Sequence, residues 1–513
     1  MHPTPVWATP RFVVLAIISY LAVHFAVRMA MWPTLGIDDA EQALFAQEFQ
    51  WSYRNSAPPL FTWLLIGLTR MMGVGIVPIS VIRYVLLGIT YVFTFLTARR
   101  LIADPRLAAL STYSFVAICV FAFYSHHDLT HTTTMTAMIA VAWYVFVRLA
   151  ETPRLAWYLV LGAVCGLGLL GKWNFVMFAA ALPLTCLLLP AYRHLVLTGK
   201  PLVAILACAV IALPTIIAVL LGGPADRETL HGVLVGEDGS YLAHVLEGTL
   251  NLVTSTAAYP LPLLPLAALF FARPLWRGIR AGSEGPHTAR GVSLGFVLAS
   301  IAISLGLHLA PVIGLGAREF HERLMQPPLF ILPMALFMLI ERGRPSPGAL
   351  SYYALALLLV VVATLGARIG LYAAGADYCG SCRNMVPFQE LAAELRRAGY
   401  RGGGTILVDG FHVGGNMRVA FPQARIIDVD FPPSTWPARR EASQCLLLWQ
   451  VRTERAEPNA ARPRLESYLA NELDGHASAP HQDGTLAARM FASATREYHL
   501  GYSLYDQPVG DCG

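Results

Sequence analysis

The sequence predicts a mainly α-helical, polytopic membrane protein with a small α/β domain at its C-terminal end. Of its 513 residues, 56% are hydrophobic and only 13% are charged. Apolar runs of about 20 residues, the length that crosses a bilayer, recur through most of the chain. From residue 373 onward the sequence is polar and rich in arginine. We therefore divide it into a membrane domain, 1–372, and a soluble domain, 373–513.

About eleven spanning helices are predicted, with a long loop at 223–257 before the eighth. Their predicted positions are 12–31, 76–98, 107–124, 132–149, 156–171, 174–191, 201–222, 258–272, 291–309, 324–340 and 350–371. Two further helices, near 38–52 and 59–72, follow the first span. The second of these is apolar but too short to cross the bilayer, so both are expected to lie at the membrane interface.

The polar tail has the pattern of a small α/β domain. Short apolar runs bounded by glycine and polar residues predict strands at 405–408, 425–429 and 445–449, and 387–398 reads as a helix. Four cysteines lie in the tail, at Cys379, Cys382, Cys445 and Cys512. An oxidising compartment would permit disulfides. Cys379 could bridge to Cys382, or each could pair with Cys445 or Cys512, and spacing does not choose among these pairings.

Positive charge is concentrated in one set of loops. With a cytoplasmic N-terminus, the cytoplasmic loops carry Arg99, Arg100, Arg106, Arg148, Arg154, Arg193, Lys200, Arg273, Arg277, Arg280, Arg290, Arg342 and Arg344. The same alternation puts the chain's unusual polar residues on the opposite face. These are Asp38, Asp39, Asp128, His131, Lys172, Arg318, Glu319, His321, Glu322 and Arg323. All candidate site residues therefore lie on one side of the membrane, as does the tail.

An acidic cluster opens the stretch 36–63, which reads GIDDAEQALFAQEFQWSYRNSAPPLFTW. Asp38, Asp39 and Glu41 follow a hydrophobic span directly. Carboxylates beside a membrane are costly unless they face water or a substrate. The simpler interpretation is a solvated loop that starts a helix, because acidic residues in a first turn suit the helix dipole.

Three other polar stretches accompany this cluster. They are DLTH at 128–131, GLGLLGKWNF at 166–175 and FHERLMQP at 320–327. Together with the acidic pair after the first span and the run PPLFTWL at 58–64, their order and spacing resemble the GT-C class of membrane glycosyltransferases. The chain is most similar there to the superfamily of protein O-mannosyltransferases and lipid A aminoarabinose transferases. The resemblance covers roughly residues 10–345.

The resemblance implies a GT-C fold and transfer of a sugar from a polyprenyl-phosphate donor to a periplasmic acceptor, with inversion at the anomeric carbon. Asp38 matches the first acid of the family's acidic pair and is expected to be the base. Asp39 stands where many members have Glu, so the assignment between the two acids stays open. The acceptor is expected to be lipid A, lipopolysaccharide core or another envelope glycolipid or glycan.

Three basic residues are expected to bind the donor phosphate: Lys172, Arg318 and Arg323. A lysine at a helix end usually snorkels to the interface, but Lys172 lies on the outer face, where a phosphate would explain it. Arg318 and Arg323 are interleaved with Glu319 and Glu322, so an ion-paired loop is the other interpretation. The resemblance favours Arg323, which directly precedes a predicted helix.

The remaining candidates are assigned to sugar or acceptor binding. They are Glu41, Tyr53, Asp128, His131 and His321. Glu41 has a structural alternative as the partner of an arginine, and Asp128 has one as the N-cap of the fourth span. No cofactor is certain. A divalent metal stays open at His127, Asp128 and His131, whose other interpretation is a polar helix start.

Other functions predict different patterns. A transporter or lipid flippase is the main alternative, but its ionisable residues would lie near the midplane in repeated halves, and we find no repeat. A structural membrane protein would need no clustered acid and base. A net charge of +5 is too modest to indicate nucleic-acid binding. The expected location is the bacterial inner membrane, with the site and the tail facing the periplasm.

Overall fold

A computed structural model describes residues 5–53, 57–221, 240–281, 291–379, 383–431, 436–438, 443–451, 461–475 and 479–512. Helices dominate as far as residue 374. They are α1 Pro10–Met31, α2 Ile37–Phe45, α3 Leu60–Met72, α4 Ile76–Leu101, α5 Pro105–Tyr113, α6 Cys119–Ala122, α7 His131–Glu151, α8 Leu155–Gly171, α9 Phe175–Leu188, α10 Pro201–Leu221, α11 Tyr241–Ala258, α12 Leu263–Arg280, α13 Leu294–Leu315, α14 Gln326–Leu329, α15 Leu332–Arg342 and α16 Pro347–Ala374.

Six of the described helices are long and apolar enough to cross a membrane: α1, α4, α7, α10, α13 and α16. A seventh span results if residues 322–329 and α15, which meet at 52°, count as one bent helix. The chain is thus a multi-pass, mainly helical membrane protein, as predicted. The count of eleven spans stays a prediction, because several shorter apolar helices do not pass the same test.

Several helices begin where the sequence combines a capping side chain with proline. The Thr9 hydroxyl accepts a hydrogen bond from the Phe12 amide at 3.4 Å, and Pro10 is the first residue of α1. Ser346 accepts from Ala349 at 3.3 Å in front of Pro347, the first residue of α16. Such caps satisfy amide groups that have no partner within the helix, and proline fits at the first position. These starts are local properties of the sequence.

The helix predicted near 38–52 ends at Phe45, and the one predicted at 324–340 is bent by 52°. Two other predicted segments differ more. The single helix at 107–124 is wrong, because α5 ends at Tyr113 and a 3-10 turn separates it from α6. There the Ser114 hydroxyl donates to the Leu110 carbonyl at 2.7 Å and contacts the Tyr353 hydroxyl at 2.9 Å, and such side chains compete with helical bonding. The long loop predicted at 223–257 is also wrong from 241 onward, where α11 forms. Helix α11 was not predicted because its sequence mixes polar and apolar residues and contains no long apolar run.

The tail folds as the α/β unit that the pattern predicted. Its elements are α17 Phe388–Arg397, β1 Thr405–Val408, α18 Phe411–Ala420, β2 Arg425–Asp428, β3 Cys445–Val451, α19 Ala461–Glu472, β4 Gln482–Arg489 and β5 Glu497–Tyr505. The strand order is β2-β1-β3-β5-β4. Strand β1 is parallel to β2 and β3, while β5 is antiparallel to β3 and β4. Helix α16 ends at Ala374, near the proposed boundary between the domains at 372.

The disulfides resolve part of the cysteine question. Cys445, at the start of β3, is bonded to Cys512. Cys379 is also disulfide-bonded, and Cys382 lies outside the described residues. The bond at Cys445 ties the C-terminal segment to the centre of the sheet.

Candidate active site

Asp39 is a buried, ion-paired residue at the junction of α1, α2 and α4. Its carboxylate pairs with Arg28 of α1 at 3.5 Å and with Arg83 of α4. All three side chains are at most 1% exposed. Arg83 also donates to the His127 carbonyl at 3.2 Å. A carboxylate that balances two buried guanidinium groups is committed to structure, so Asp39 is poorly placed to accept a proton from a substrate.

Asp38 has the opposite surroundings. It is half-buried and makes no hydrogen bond or ion pair with any residue that the structure describes. Burial and the charge of Asp128 raise the pKa of its carboxyl to about 7, although Arg323 and Lys172 oppose the rise. A carboxylate with a pKa near neutrality is suited to take up a proton during a reaction. The structure thus places two adjacent acids in different surroundings.

Asp128 lies at the start of α2 and does not cap α7. Its Oδ2 accepts a hydrogen bond from the Ile37 amide at 3.3 Å. The capping position of α7 is Thr130, whose side chain makes no capping bond. A Cβ at Gly36 would lie 2.7 Å from Asp128, so glycine permits this close approach. Asp128 thereby anchors the helix that carries both acids, and it also lies close enough to Asp38 to shift its pKa.

Lys172 and Arg323 supply positive charge beside Asp38. Lys172 follows α8, and its Nζ donates to the Thr132 hydroxyl at 2.9 Å. Burial and the charge of Arg323 lower the pKa of Lys172 to about 8, although Asp38 opposes the change. Arg323 is exposed, and its guanidinium has no partner among the described residues. Two cations that repel each other and lack a carboxylate partner of their own favour an incoming anion.

Arg318 and His321 point to other partners. Arg318 pairs with Glu247 of α11 at 3.5 Å, and His321 lies 3.3 Å from the carboxylate of Glu319, with both side chains exposed. These two residues fit the ion-paired loop that the sequence left as the alternative. Of this segment, Arg323 is a main contributor to the electrostatic environment that shifts the pKa of Asp38.

His131 belongs to a chain of side-chain contacts that links three helices. Its Nε2 lies 3.0 Å from the side-chain nitrogen Nε2 of Gln42, and the side-chain oxygen Oε1 of Gln42 accepts from the Thr62 hydroxyl at 2.6 Å. Gln42 and Thr62 are fully buried. The contacts connect α7, α2 and α3, so His131 orients the helix that carries the acids. Gln42 was not among the predicted residues.

The weak metal candidates are not assembled into a ligand set. Nδ1 of His127 lies 3.2 Å from the amide nitrogen of Asn384, and His131 faces Gln42. Within the described ranges, no group of three His, Cys, Asp or Glu side chains is placed to hold a metal ion.

Tyr53 is buried in an apolar cluster. Its ring stacks on Phe45 at 4.8 Å, and its hydroxyl donates to the Glu48 carbonyl at 3.0 Å. With 3% of its surface exposed, it packs in the apolar core between α2 and the tail. The proposed sugar contact at Tyr53 is therefore not supported by its position. Glu41 is half-buried on α2, one turn beyond Asp38.

Comparisons with known proteins bear on this geometry. Residues 56–217 match the family model of dolichyl-phosphate-mannose-protein mannosyltransferases. The lipopolysaccharide core galacturonosyltransferase RgtA of Rhizobium johnstonii is 28% identical over 496 residues, which cover 95% of this chain and 96% of that protein. RgtB of the same organism is also 28% identical, over 495 residues and 96% of each chain.

The fold has a solved counterpart. ArnT from Cupriavidus metallidurans, determined bound to undecaprenyl phosphate, superimposes with a TM-score of 0.56 at 13% identity. The match covers 96% of this chain and 98% of ArnT. Together, the relatives and the fold support a membrane glycosyltransferase of the GT-C class. The sequence resemblance is thereby confirmed at the level of fold and class.

The tail directly holds the segment that precedes the acidic pair. The Asn416 side chain, on α18, accepts from the Leu35 amide at 2.9 Å and donates to the Leu35 carbonyl at 3.3 Å. The Thr34 hydroxyl donates to the Asn384 carbonyl at 2.6 Å. Thr34 and Leu35, which precede the acidic pair, are thus held by residues 350 and 381 positions further along the chain. Nothing local in the sequence marked Asn416 as part of the site.

Helix α18 also packs backbone-to-backbone against α2. A Cβ at Gly415 would lie 2.1 Å from the Ala40 carbonyl oxygen, and one at Gly414 would lie 3.1 Å from Leu44. Only glycine permits this approach. The two consecutive glycines inside a helix were the available signal, because glycine in a helix interior disfavours the helix unless close packing compensates.

We expect Gly415→Ala to weaken the transferase. The added methyl group must displace α18 from α2, and overpacking of this kind typically costs about 1–3 kcal/mol. Thermal unfolding and sugar transfer by the purified protein both measure the effect, and both should fall. Gly370→Ala is the matched control, because a Cβ at Gly370 of α16 meets nothing within 4 Å. Equal behaviour of the two variants would contradict a tight contact at Gly415.

Proposed function

We infer that the protein transfers a sugar from a polyprenyl-phosphate donor to a glycolipid acceptor of the cell envelope, in one displacement with inversion. The observation that carries this inference is the unpaired Asp38 carboxylate, flanked by Lys172 and Arg323. An acceptor hydroxyl needs a base, and a departing phosphate needs cations. The site offers both within one electrostatic cluster, and Asp39 is occupied by its two arginines.

The chemistry follows from these positions. Asp38 takes the proton of the acceptor hydroxyl as its oxygen attacks the anomeric carbon. The bond from that carbon to the phosphate oxygen breaks, and polyprenyl phosphate leaves with the electron pair. Lys172 and Arg323 stabilise the phosphate as its charge grows. Asp39, Asp128 and Gln42 hold α2 in place, so that Asp38 needs little rearrangement to react.

The relatives' names support a choice of substrates for the first experiment. RgtA and RgtB are named as lipopolysaccharide core galacturonosyltransferases. Purified protein would be given polyprenyl-phosphate galacturonic acid and lipopolysaccharide core, with polyprenyl-phosphate aminoarabinose as a second donor. We expect a new glycosidic linkage of inverted configuration with one of these donors. Donor movement across a vesicle membrane without any transfer would favour the flippase and refute this function.

Lys172→Met and Arg323→Met should each impair use of the donor while leaving the fold intact. Loss of one charge-assisted contact costs about 1.5–3 kcal/mol, so kcat/KM for the donor should fall roughly tenfold to a hundredfold. Arg318→Met is the matched control, because Arg318 is paired with Glu247. Donor kinetics would be measured at saturating acceptor. Unchanged kinetics in Lys172→Met and Arg323→Met would remove both from the phosphate site.

We also propose that the transferase lies in the bacterial inner membrane with its N-terminus in the cytoplasm and its tail in the periplasm. The distribution of arginine among the loops supports this orientation. Helix α11 does not change the alternation, because it contacts the outer segment from Ile313 to Met325 near both of its ends. Reporter fusions after residue 512 should be active in the periplasm only. A cytoplasmic signal would overturn the orientation.

A further inference from the structure

A cavity borders the segment that carries Asp38, on the side of α16 and the tail. Its volume is about 280 Å³, and its polar lining comes from His127, Asp128, Arg368, Arg383 and Asn384, with Trp32 among the aromatic residues. Ile37, the residue before Asp38, also lines it. Neither Lys172 nor Arg323 does. The cavity therefore reaches the catalytic helix by a different route from the cluster assigned to the donor phosphate.

Two arginines give this cavity a cationic side. Arg368 of α16 is fully buried, and its Nη2 donates to the His126 carbonyl at 3.1 Å. Its Nε is buried without a hydrogen-bond partner, and the ring of Trp32 lies over the guanidinium at 5.1 Å. Arg383 is exposed and has no side-chain partner within the described ranges. A buried guanidinium with an unsatisfied N–H, beside a free arginine, is suited to an anion.

The other polar residues leave that charge uncompensated. Burial lowers the pKa of His127, although Asp128 opposes the change, so His127 is neutral near pH 7. Asn384 is neutral and contacts His127 at 3.2 Å. Asp128 is the acidic residue of the lining, and its Oδ2 is bound to the Ile37 amide. The carboxylate thus lies at the catalytic end of the cavity, and the arginines lie on the side of α16 and the tail.

An apolar groove continues from the same arginine into the membrane region. Its volume is about 540 Å³, and α1 and α16 form most of its walls. Its lining includes Phe12, Leu358 and Leu365, and it also reaches His24. His24 is bonded to Nη1 of Arg368. The guanidinium of Arg368 therefore separates a groove suited to a hydrocarbon chain from a cavity suited to an anion.

We propose that the cavity binds an anionic group of a lipid-anchored acceptor, phosphate or carboxylate, and that the groove holds the acceptor's acyl chain. This rests on the proposed transferase function and specifies its acceptor class. The arrangement brings the acceptor to Asp38 along Asp128 and Ile37, while the donor phosphate lies at Lys172 and Arg323. Single displacement requires such separate approaches, because the attacking oxygen and the leaving group lie on opposite sides of the anomeric carbon.

Arg383→Gln tests the anionic subsite with little risk to folding, because the residue is exposed. The full-length variant should show a KM for lipopolysaccharide raised roughly tenfold, with the KM for the donor unchanged. Arg401→Gln is the matched control, an exposed arginine of the same domain whose guanidinium has no partner in the described part of the chain. Equal acceptor KM values in the two variants, or a changed donor KM in Arg383→Gln, would overturn the proposal.

Modified acceptors identify the anion. Treatment with hydrofluoric acid gives lipopolysaccharide without phosphate. Carboxyl reduction gives lipopolysaccharide without carboxylate. With the acceptor that lacks the recognised group, the acceptor KM of wild type should rise to that of Arg383→Gln. The acceptor KM of Arg383→Gln should not rise further. Equal sensitivity of both proteins to both treatments would refute direct recognition.

The groove has its own matched pair. Leu358 lines it and Leu359 does not, and the two are similarly exposed, at 58% and 60%. Leu358→Trp should raise the KM for acylated acceptor several-fold but leave that for deacylated acceptor unchanged, whereas Leu359→Trp should change neither. Identical behaviour of the two variants would remove the acyl chain from the groove.

A binding measurement separates this proposal from the transferase function. Lipopolysaccharide binding to Asp38→Asn protein in nanodiscs needs no turnover. Binding that Arg383→Gln weakens would support the subsite even if no sugar were transferred, which would refute only the proposed function. Transfer by wild type without any dependence on Arg383 would refute only the subsite.

Discussion

Asp38→Asn is expected to lower kcat for sugar transfer by about 10²–10⁴, the usual cost of losing a general base. Asparagine keeps the shape of the side chain but cannot accept the proton of the acceptor hydroxyl. Transfer would be measured in single turnovers with both substrates saturating. Asp38→Glu is the control, because it keeps a carboxylate and should retain more activity. Full activity in Asp38→Asn together with loss in Asp39→Asn would move the base to Asp39.

The pH dependence provides an independent check on Asp38. Its pKa is raised to about 7, chiefly by burial, and only the ionised form acts as a base. The rate of wild type should therefore rise as the pH increases through about 7. Because folding raises the pKa of this carboxyl, its ionisation opposes folding, and this cost is fully present above about pH 7. Asp38→Asn should consequently unfold at the same or a slightly higher temperature at pH 8.

Asp39→Asn is expected to lose much of its stability, whereas Asp38→Asn loses activity and keeps its stability. Arg28 and Arg83 would remain buried without their counter-charge, and breaking a buried ion pair typically costs about 3–5 kcal/mol. Thermal unfolding of the purified protein should show the loss, and the yield of folded protein should fall. The folded fraction should keep more activity per molecule than Asp38→Asn does, because Asp39 positions α2 and does not take the proton.

A second substitution sharpens this test. Arg83→Met in the Asp39→Asn background removes one of the two stranded charges, so part of the lost stability should return. No recovery in the double variant, or an unfolding temperature of Asp39→Asn equal to that of Asp38→Asn, would contradict the ion-pair network. The comparison of adjacent acids is informative because both substitutions remove one carboxylate from the same helix.

The sequence determined much of the membrane architecture. Apolar runs located α1, α4, α7 and α16 closely, because a spanning segment must be apolar along its whole length. Thr9 with Pro10 marks the start of α1 by local capping alone. The order of polar motifs determined the class, and the comparisons confirm it. The sequence did not predict the polar helix α11 or the break in the segment 105–122. Both depend on packing against neighbouring segments and not on a long apolar run.

Within the site, the family resemblance favoured Asp38 over Asp39 and Arg323 over Arg318. The residues alone did not separate these candidates. The tertiary structure distinguishes them by their partners. Asp39 meets Arg28 and Arg83, Arg318 meets Glu247, and Tyr53 packs on Phe45.

Asn416 and Gly415 reach the acidic segment from the far end of the chain. Periodicity and motif spacing report only on neighbours along the chain. Whether a charged side chain is paired or free depends on residues tens to hundreds of positions away, and that choice decides which acid can act as the base.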